Sequence, residues 1–159
     1  MLNQIVIVGR LVRDPELRES VGSINAVILM SYLETCFKEK GQGFYKFLEP
    51  CNHMAYQEGS SWIEALHMTI TEFRTAFRHI GVVYKSKKEY NLSRDKFQGK
   101  MYLSYYDRLS KLTYYMRNDD LVDRVLDEVE DKKTVENTEV IKAELVEDRK
   151  AVVETRNQE

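Results

Sequence analysis

SSWIEALHMTITEFRTAFRHIG, residues 60–81, carries two helix-start signatures in close succession. Ser61 is followed three residues later by Glu64, and Thr69 three residues later by Glu72. In each pair the hydroxyl and the carboxylate can satisfy the first free backbone N–H groups of a helix, the pattern of a capping box. The spacing predicts a short helix from Trp62 to about His67, presenting Trp62, Ile63 and Leu66, and a second from Ile70 to Ile80 that ends at Gly81. In the second, Ile70, Phe73, Phe77 and Ile80 share one face, and His67-Met68-Thr69 connects the two helices.

With that face turned inward, Thr71, Arg74, Thr75, Arg78 and His79 point outward, while Glu72 is taken up by the cap. Two helices across so short a turn have the geometry of helix-turn-helix DNA binders, in which the second helix lies in the major groove. The outward set is basic and hydrogen-bonding, suited to base edges and phosphates. A solvated helix surface with no ligand could carry the same two arginines.

Upstream, Ile24 to Lys40 has a helical period. Val27, Ile28, Ser31 and Thr35 fall on one stripe, Leu29, Leu33, Cys36 and Phe37 on an adjacent one, and Gly41 supplies a stop. A mostly buried helix is expected there. Gly43 to Leu48 alternates aromatic and basic residues before Pro50, as a short strand or extended loop would, and Gln4 to Val12, closed by Asp14-Pro15, predicts an N-terminal strand. Downstream, Val82 to Tyr84 reads as a strand and Lys85 to Gly99 as a polar, basic segment. Met101 to Tyr106 and Leu112 to Arg117 read as tyrosine-rich strands joined at Asp107-Arg108-Leu109-Ser110-Lys111. A helix, a two-helix unit and then a β-hairpin is the order of a winged helix. Between Ile70 and Asn118 there are 11 Lys+Arg against 4 Asp+Glu, a +7 surface that favours phosphates and would make affinity fall with added salt.

The net charge of −2 over 159 residues conceals a split. Residues 1–118 carry 17 Lys+Arg against 12 Asp+Glu, and residues 119–159 carry 7 against 14. All the aromatics, glycines, prolines and cysteines lie in the first part, so the second cannot build a core of its own. In the second part Asp119-Asp120 can cap a helix in which Leu121, Val122, Val125, Leu126 and Val129 recur at helical spacing, and Val140 to Val153 repeats the pattern less cleanly. A solvated, partly disordered tail and a partner-binding or dimerising acidic helix both fit this composition. A third reading has the acidic segment fold over the basic surface and compete with nucleic acid.

No apolar run approaches the ~18 to 20 residues of a membrane span, and the opening Met1-Leu2-Asn3-Gln4 lacks the basic region of a secretory signal, so a cytoplasmic chain is expected. Cys36 and Cys51 show no metal spacing and are expected to be inert packing groups. His53, His67 and His79 fall in different predicted elements, Cys51 with His53 is too small a set for zinc, and Gly41-Gln42-Gly43 lacks the lysine of a phosphate loop. No catalytic set and no cofactor site emerges. Tyr102, Tyr105, Tyr106, Tyr114 and Tyr115 sit in alternating strands, so about half should face the core. The others, near Lys100, Arg108, Lys111 and Arg117, could stack on unpaired bases, a contact of ~1 to 3 kcal/mol per base.

Two resemblances add to this. Met1-Leu2-Asn3, Val8-Gly9-Arg10-Leu11 and Asp14-Pro15-Glu16 resemble the opening strand and turn of bacterial single-stranded DNA-binding proteins, over the first 17 residues. From Ser20 onward the chain departs from that family's strands, and Thr155-Arg156-Asn157-Gln158-Glu159 lacks its acidic tip with a terminal apolar pair. Residues 24–118 resemble the small winged-helix proteins of phages, plasmids and other mobile elements. The residues that carry this likeness are Ile24 to Leu29, Gly59-Ser60-Ser61-Trp62 with Glu64 and Leu66, Phe73 with Ile80-Gly81, Phe97 to Tyr102, Tyr105 to Arg108 and Tyr114 to Asn118. What the resemblance implies is DNA binding in replication or control of a mobile element.

The expected architecture is therefore α+β: an N-terminal strand in residues 1–20, a winged helix-turn-helix with a β-hairpin wing in 21–118, and an acidic helical or disordered tail in 119–159. The expected function is non-enzymatic binding of single-stranded or duplex DNA. Thr71, Arg74, Thr75 and Arg78 would address the groove, Lys85, Lys87, Lys88, Lys96, Lys100, Arg108 and Lys111 the backbone, and Tyr105 or Tyr106 exposed bases. The alternative is an adaptor that binds a replication protein such as a helicase or polymerase, or a host factor, through the tail or the aromatic face. A homodimer is compatible with either reading, and no membrane partner is expected.

Overall fold

Both capping boxes form. In a computed structural model that describes residues 21–156, the Ser61 side chain accepts from the Glu64 N–H, and the Glu64 carboxylate accepts from the Ser61 N–H at 3.1 Å. Thr69 and Glu72 repeat the exchange at 3.2 and 2.8 Å. Between them His67 takes a left-handed conformation (φ 51°), which turns the chain from one helix into the next. The elements in chain order are α1 (Ile24–Lys40), β1 (Phe44–Tyr45), α2 (Trp62–Leu66), α3 (Ile70–Ile80), β2 (Gly81–Tyr84), α4 (Lys87–Leu92), β3 (Tyr102–Asp107), β4 (Leu112–Arg117) and α5 (Asp119–Arg156). The fold is mixed α and β. The strand expected in residues 4–12, and with it the resemblance of the first 17 residues, lies outside the described residues.

The four strands form one sheet in the order β1-β4-β3-β2. β3 and β4 are the antiparallel hairpin, β1 pairs antiparallel with β4, and β2 pairs parallel with β3. Side chains alternate between the two sheet faces. One face bears Phe44, Tyr102, Ser104 and Tyr115, and α1, α2 and α3 cover it. Phe37 stacks on Tyr102 at 5.9 Å, Trp62 meets Tyr115 at 5.3 Å and Phe73 at 5.2 Å, and Phe77 meets Tyr115 at 5.7 Å. Trp62, Tyr102, Leu29, Met30, Leu33, Ile80 and Leu103 are fully enclosed. Burial of each large apolar side chain contributes about 1.5 to 3 kcal/mol, so the aromatic cluster around Trp62 is the main adhesive between helices and sheet.

Gly81 ends α3 for a reason other than the one its sequence position suggests. It is extended (φ −144°) and begins β2, and a Cβ there would come within 2.7 Å of the Phe77 ring. The basic segment from Lys85 to Gly99 is not all loop either, because Ser86 and Glu89 start α4: the Ser86 side chain accepts from the Glu89 N–H at 3.1 Å.

The described residues fall into two units that part after Val122. The second contains most of α5, which runs as a continuous helix to Arg156. Along it Val135, Val140, Ile141, Leu145 and Val146 are each more than half exposed.

Candidate nucleic-acid interface

α3 is positioned by its inner face. Phe73, Ala76, Phe77 and Ile80 are buried, which leaves Thr71, Glu72, Arg74, Thr75, Arg78 and His79 exposed. Among the described residues neither Arg74 nor Arg78 is in an ion pair. Lys100 joins the end of this helix, but as a cap: its Nζ donates to the Arg78 and His79 carbonyls at 3.4 and 3.3 Å. A lysine there complements the free carbonyls and the negative end of the helix dipole.

The remaining cations expected to contact the backbone belong elsewhere. The hairpin turn carries only Arg108 and Lys111, both exposed, with Lys111 in a left-handed conformation (φ 57°). Asp107 shapes that turn by accepting from the Leu109 N–H at 2.9 Å, and this bond holds its carboxyl below the usual range. His53 ties the turn to the loop before α2. Its Nδ1 accepts from the Ala55 N–H at 3.0 Å, so Nε2 carries the proton and donates to the Ser110 carbonyl at 2.9 Å. Lys85 follows β2, Lys87 and Lys88 open α4, and Lys96 lies in the loop after α4, so none of them is on the hairpin. Lys87 pairs with Asp107 at 3.5 Å, and Lys96 caps α4 through the Tyr90 and Asn91 carbonyls while resting 4.7 Å over the Tyr90 ring.

α4 sits on the sheet face opposite α3. On that face Tyr45, Tyr114, Tyr105 and Tyr84 form a row across all four strands, since the register pairs Tyr45 with Tyr114, Tyr105 with Tyr114 and Tyr84 with Tyr105. Tyr90 of α4 lies flat on Tyr105 at 4.6 Å, and Tyr114 lies nearly parallel to it at 5.4 Å on the same row. Both neighbours of Tyr105 are thus rings of this protein, and the stacking expected of it on a base is taken by Tyr90 and Tyr114. Tyr106 is 37 % exposed and has no such neighbour among the described residues, whereas Tyr102 and Tyr115 are enclosed. The expected site residues therefore divide: Thr71, Arg74, Thr75 and Arg78, with Lys100 at their end, on the outer surface of the helical layer; Lys87, Lys96 and Tyr105 on the far side of the sheet.

Sequence reasoning passed over two features. Glu34 of α1 is held by Arg117, whose Nη2 donates to Oε2 at 2.9 Å, and by the Tyr102 hydroxyl, which donates to Oε1 at 2.6 Å. Burial and the Glu34 charge push the Tyr102 phenol well up. Lys46, only 7 % exposed, lies between two rings, its ammonium 5.3 Å from the Tyr32 centroid and 5.1 Å from that of Trp62, and it donates to the Ser60 carbonyl. Burial lowers its pKa. The alternation of Phe44, Tyr45, Lys46 and Phe47 was the available signal, since a lysine in phase with the core face must bury its stem. Of the cysteines, Cys36 is buried in α1 as expected and burial pushes its thiol up, but Cys51 is exposed and is not a packing group.

Among the described residues no cluster of His, Cys, Asp and Glu could hold a metal ion, and no helix is long and apolar enough to cross a membrane. Compared with protein-family models, with curated proteins and with solved structures, the chain matches none of them.

Proposed function

We propose that this is a non-enzymatic DNA-binding protein of winged-helix type, with α3 as the helix that enters the major groove and the β3–β4 turn as the wing. The observation that carries the reading is the outer surface of α3, where Arg74 and Arg78 are exposed and free of carboxylate partners among the described residues, with Thr71 and Thr75 beside them. The chain order and the pairing of β1 with the last strand of the hairpin agree with a winged helix into which β2 and α4 have been inserted. Duplex DNA is the favoured ligand of this surface, because a rigid helix presenting two guanidinium groups suits a groove and its flanking phosphates. A role in replication or its control in a phage, plasmid or other mobile element rests on the resemblance of residues 24–118.

The test is fluorescence anisotropy with labelled duplex and single-stranded oligonucleotides across salt. Arg74→Ala with Arg78→Ala should weaken duplex binding, lowering the salt slope by roughly 0.9 for each arginine that contacts a phosphate and relaxing sequence preference where one reads a base edge. No binding of either form at low salt, or a double variant indistinguishable from the parent, overturns the proposal. An adaptor role is the second reading, favoured by the exposed apolar side chains of α5 between Val135 and Val146.

A further inference from the structure

Among the described residues β1 is the edge of the sheet, and a cavity of about 350 Å3 opens over it, its lining including Lys40, Phe44, Tyr45, Lys46, Phe47 and Ser60. That is the size of the smaller ligand sites in proteins. Its lining contains two ammonium groups and no carboxylate. Among the described residues neither lysine is in an ion pair. Lys46 is the unusual member, a cation enclosed against two aromatic rings with one carbonyl oxygen to receive its three N–H donors. Enclosing a charge in this way is costly unless an anion compensates it, and Glu64, the carboxylate that acts on it from a distance, is engaged by Ser61, Tyr56 and Gly59. Lys40 lines the same cavity, exposed, its ammonium 5.9 Å from the Phe44 ring centroid.

The aromatic wall differs from the rest of the tyrosine row. Tyr45 is 42 % exposed and meets Tyr114 and Phe47 at 75° and 76°, so neither ring lies flat on it, in contrast to Tyr105. An uncovered ring and two ammonium groups that are in no ion pair among the described residues line one cavity, the ring on one side of the edge strand and the ammonium groups on the other, which matches a planar base joined to a phosphate across the open edge. We propose that this edge pocket binds one nucleotide, with its base against Tyr45 and Phe47 and its phosphate drawn to Lys40 and Lys46. The site is independent of α3 and does not depend on the groove-binding reading.

The test is calorimetric titration of the full chain with thymidine 5′-monophosphate, thymidine and inorganic phosphate. The monophosphate should bind more tightly than either fragment. Tyr45→Ala should weaken it by roughly 5- to 100-fold, the range of a lost base stack. Lys40→Ala should weaken it in a salt-dependent way, and Lys46→Met, which keeps the stem, should weaken it further. Tyr45 and Lys40 are exposed, so their variants keep the fold, while Arg74→Ala with Arg78→Ala should leave nucleotide affinity unchanged. A 5′-phosphorylated thymidine strand that competes for the pocket identifies a DNA end as the source of the nucleotide; a strand that fails to compete while the monophosphate binds identifies the free nucleotide. A Kd weaker than about 1 mM for the monophosphate, equal binding of inorganic phosphate alone, or affinity indifferent to both Tyr45→Ala and Lys40→Ala overturns the proposal.

Discussion

Glu34→Ala should destabilise the first unit more than any other single removal of a charge. The Arg117 side chain is 13 % exposed and that of Glu34 16 %, and 83 positions separate them in sequence. The Arg117 Nε lies 3.0 and 3.1 Å from the two carboxylate oxygens and Nη2 2.9 Å from Oε2, so the pair is bidentate, and Tyr102 adds a third donor. Removing one partner of a fully buried pair costs about 3 to 5 kcal/mol. Two features reduce that figure here. Water reaches the edge of the pair, and Arg117 keeps a contact to Asp119, at 2.9 Å, although that carboxylate is itself 60 % exposed. The expected cost is about 2 to 3 kcal/mol, to which the enclosed Tyr102 hydroxyl, left without its acceptor, contributes a share. For a domain of this size that lowers Tm by roughly 10 to 20 °C. Urea and thermal unfolding followed by near-ultraviolet circular dichroism should be run on Glu34→Ala, Arg117→Met and the double variant, with an expected coupling of about 1 to 2 kcal/mol. A loss below about 0.5 kcal/mol for Glu34→Ala, or strictly additive single changes, would refute the view that this pair fastens α1 to the hairpin.

Glu64 should give the start of α2 a distinct acid profile. The Ser61 hydroxyl, with further hydrogen bonds from Tyr56 and the Ser61 and Gly59 N–H groups, lowers its pKa to about 2 from the ordinary 4.5. A depressed carboxylate adds stability above its unfolded value and loses it as pH falls through its folded one. The stability gap between the parent and Glu64→Gln should thus be full at pH 6, shrink below 4.5 and close near 2; a gap constant over that window, measured by urea midpoints, would contradict the assignment. Gly81→Ala should cost about 1 to 3 kcal/mol through the 2.7 Å approach of its Cβ to the enclosed Phe77 ring, and Phe77→Leu should relieve part of that cost. Additive losses in chemical denaturation would show that the two positions do not clash.

Local rules made much of the helical layer legible. Ser61, Glu64, Thr69 and Glu72 announce their helices because capping is a contract among residues three apart, and Ile70, Phe73, Phe77 and Ile80 mark the inward face because the α-helical period is a property of the backbone. The bounds of α3 follow directly from these signals, and those of α1 from its helical period and the stop at Gly41. α4 was missed although Ser86 and Glu89 bear the same signature, since the surrounding lysines read as solvated loop.

The tyrosines are where local reasoning stops. Alternation tells that Tyr105 and Tyr115 lie on opposite faces of their sheet, but not that Tyr90, from a helix 15 positions earlier in the chain, covers Tyr105 while Tyr45 stays open. Lysine counts likewise show a basic segment without showing that Lys96 and Lys100 are spent on helix ends.

The amino-acid sequence alone determined where α1, α2 and α3 start and stop, which face of α3 is apolar, and how charge divides along the chain, because each depends on residues a few positions apart. Only the tertiary structure decided that the α3 arginines and the α4 lysines occupy opposite sides of the sheet, that Glu34 meets Arg117, and that Lys46 is enclosed beside an open cavity. These depend on strand order and on contacts between distant segments, and no local periodicity encodes the pairing of one remote segment with another.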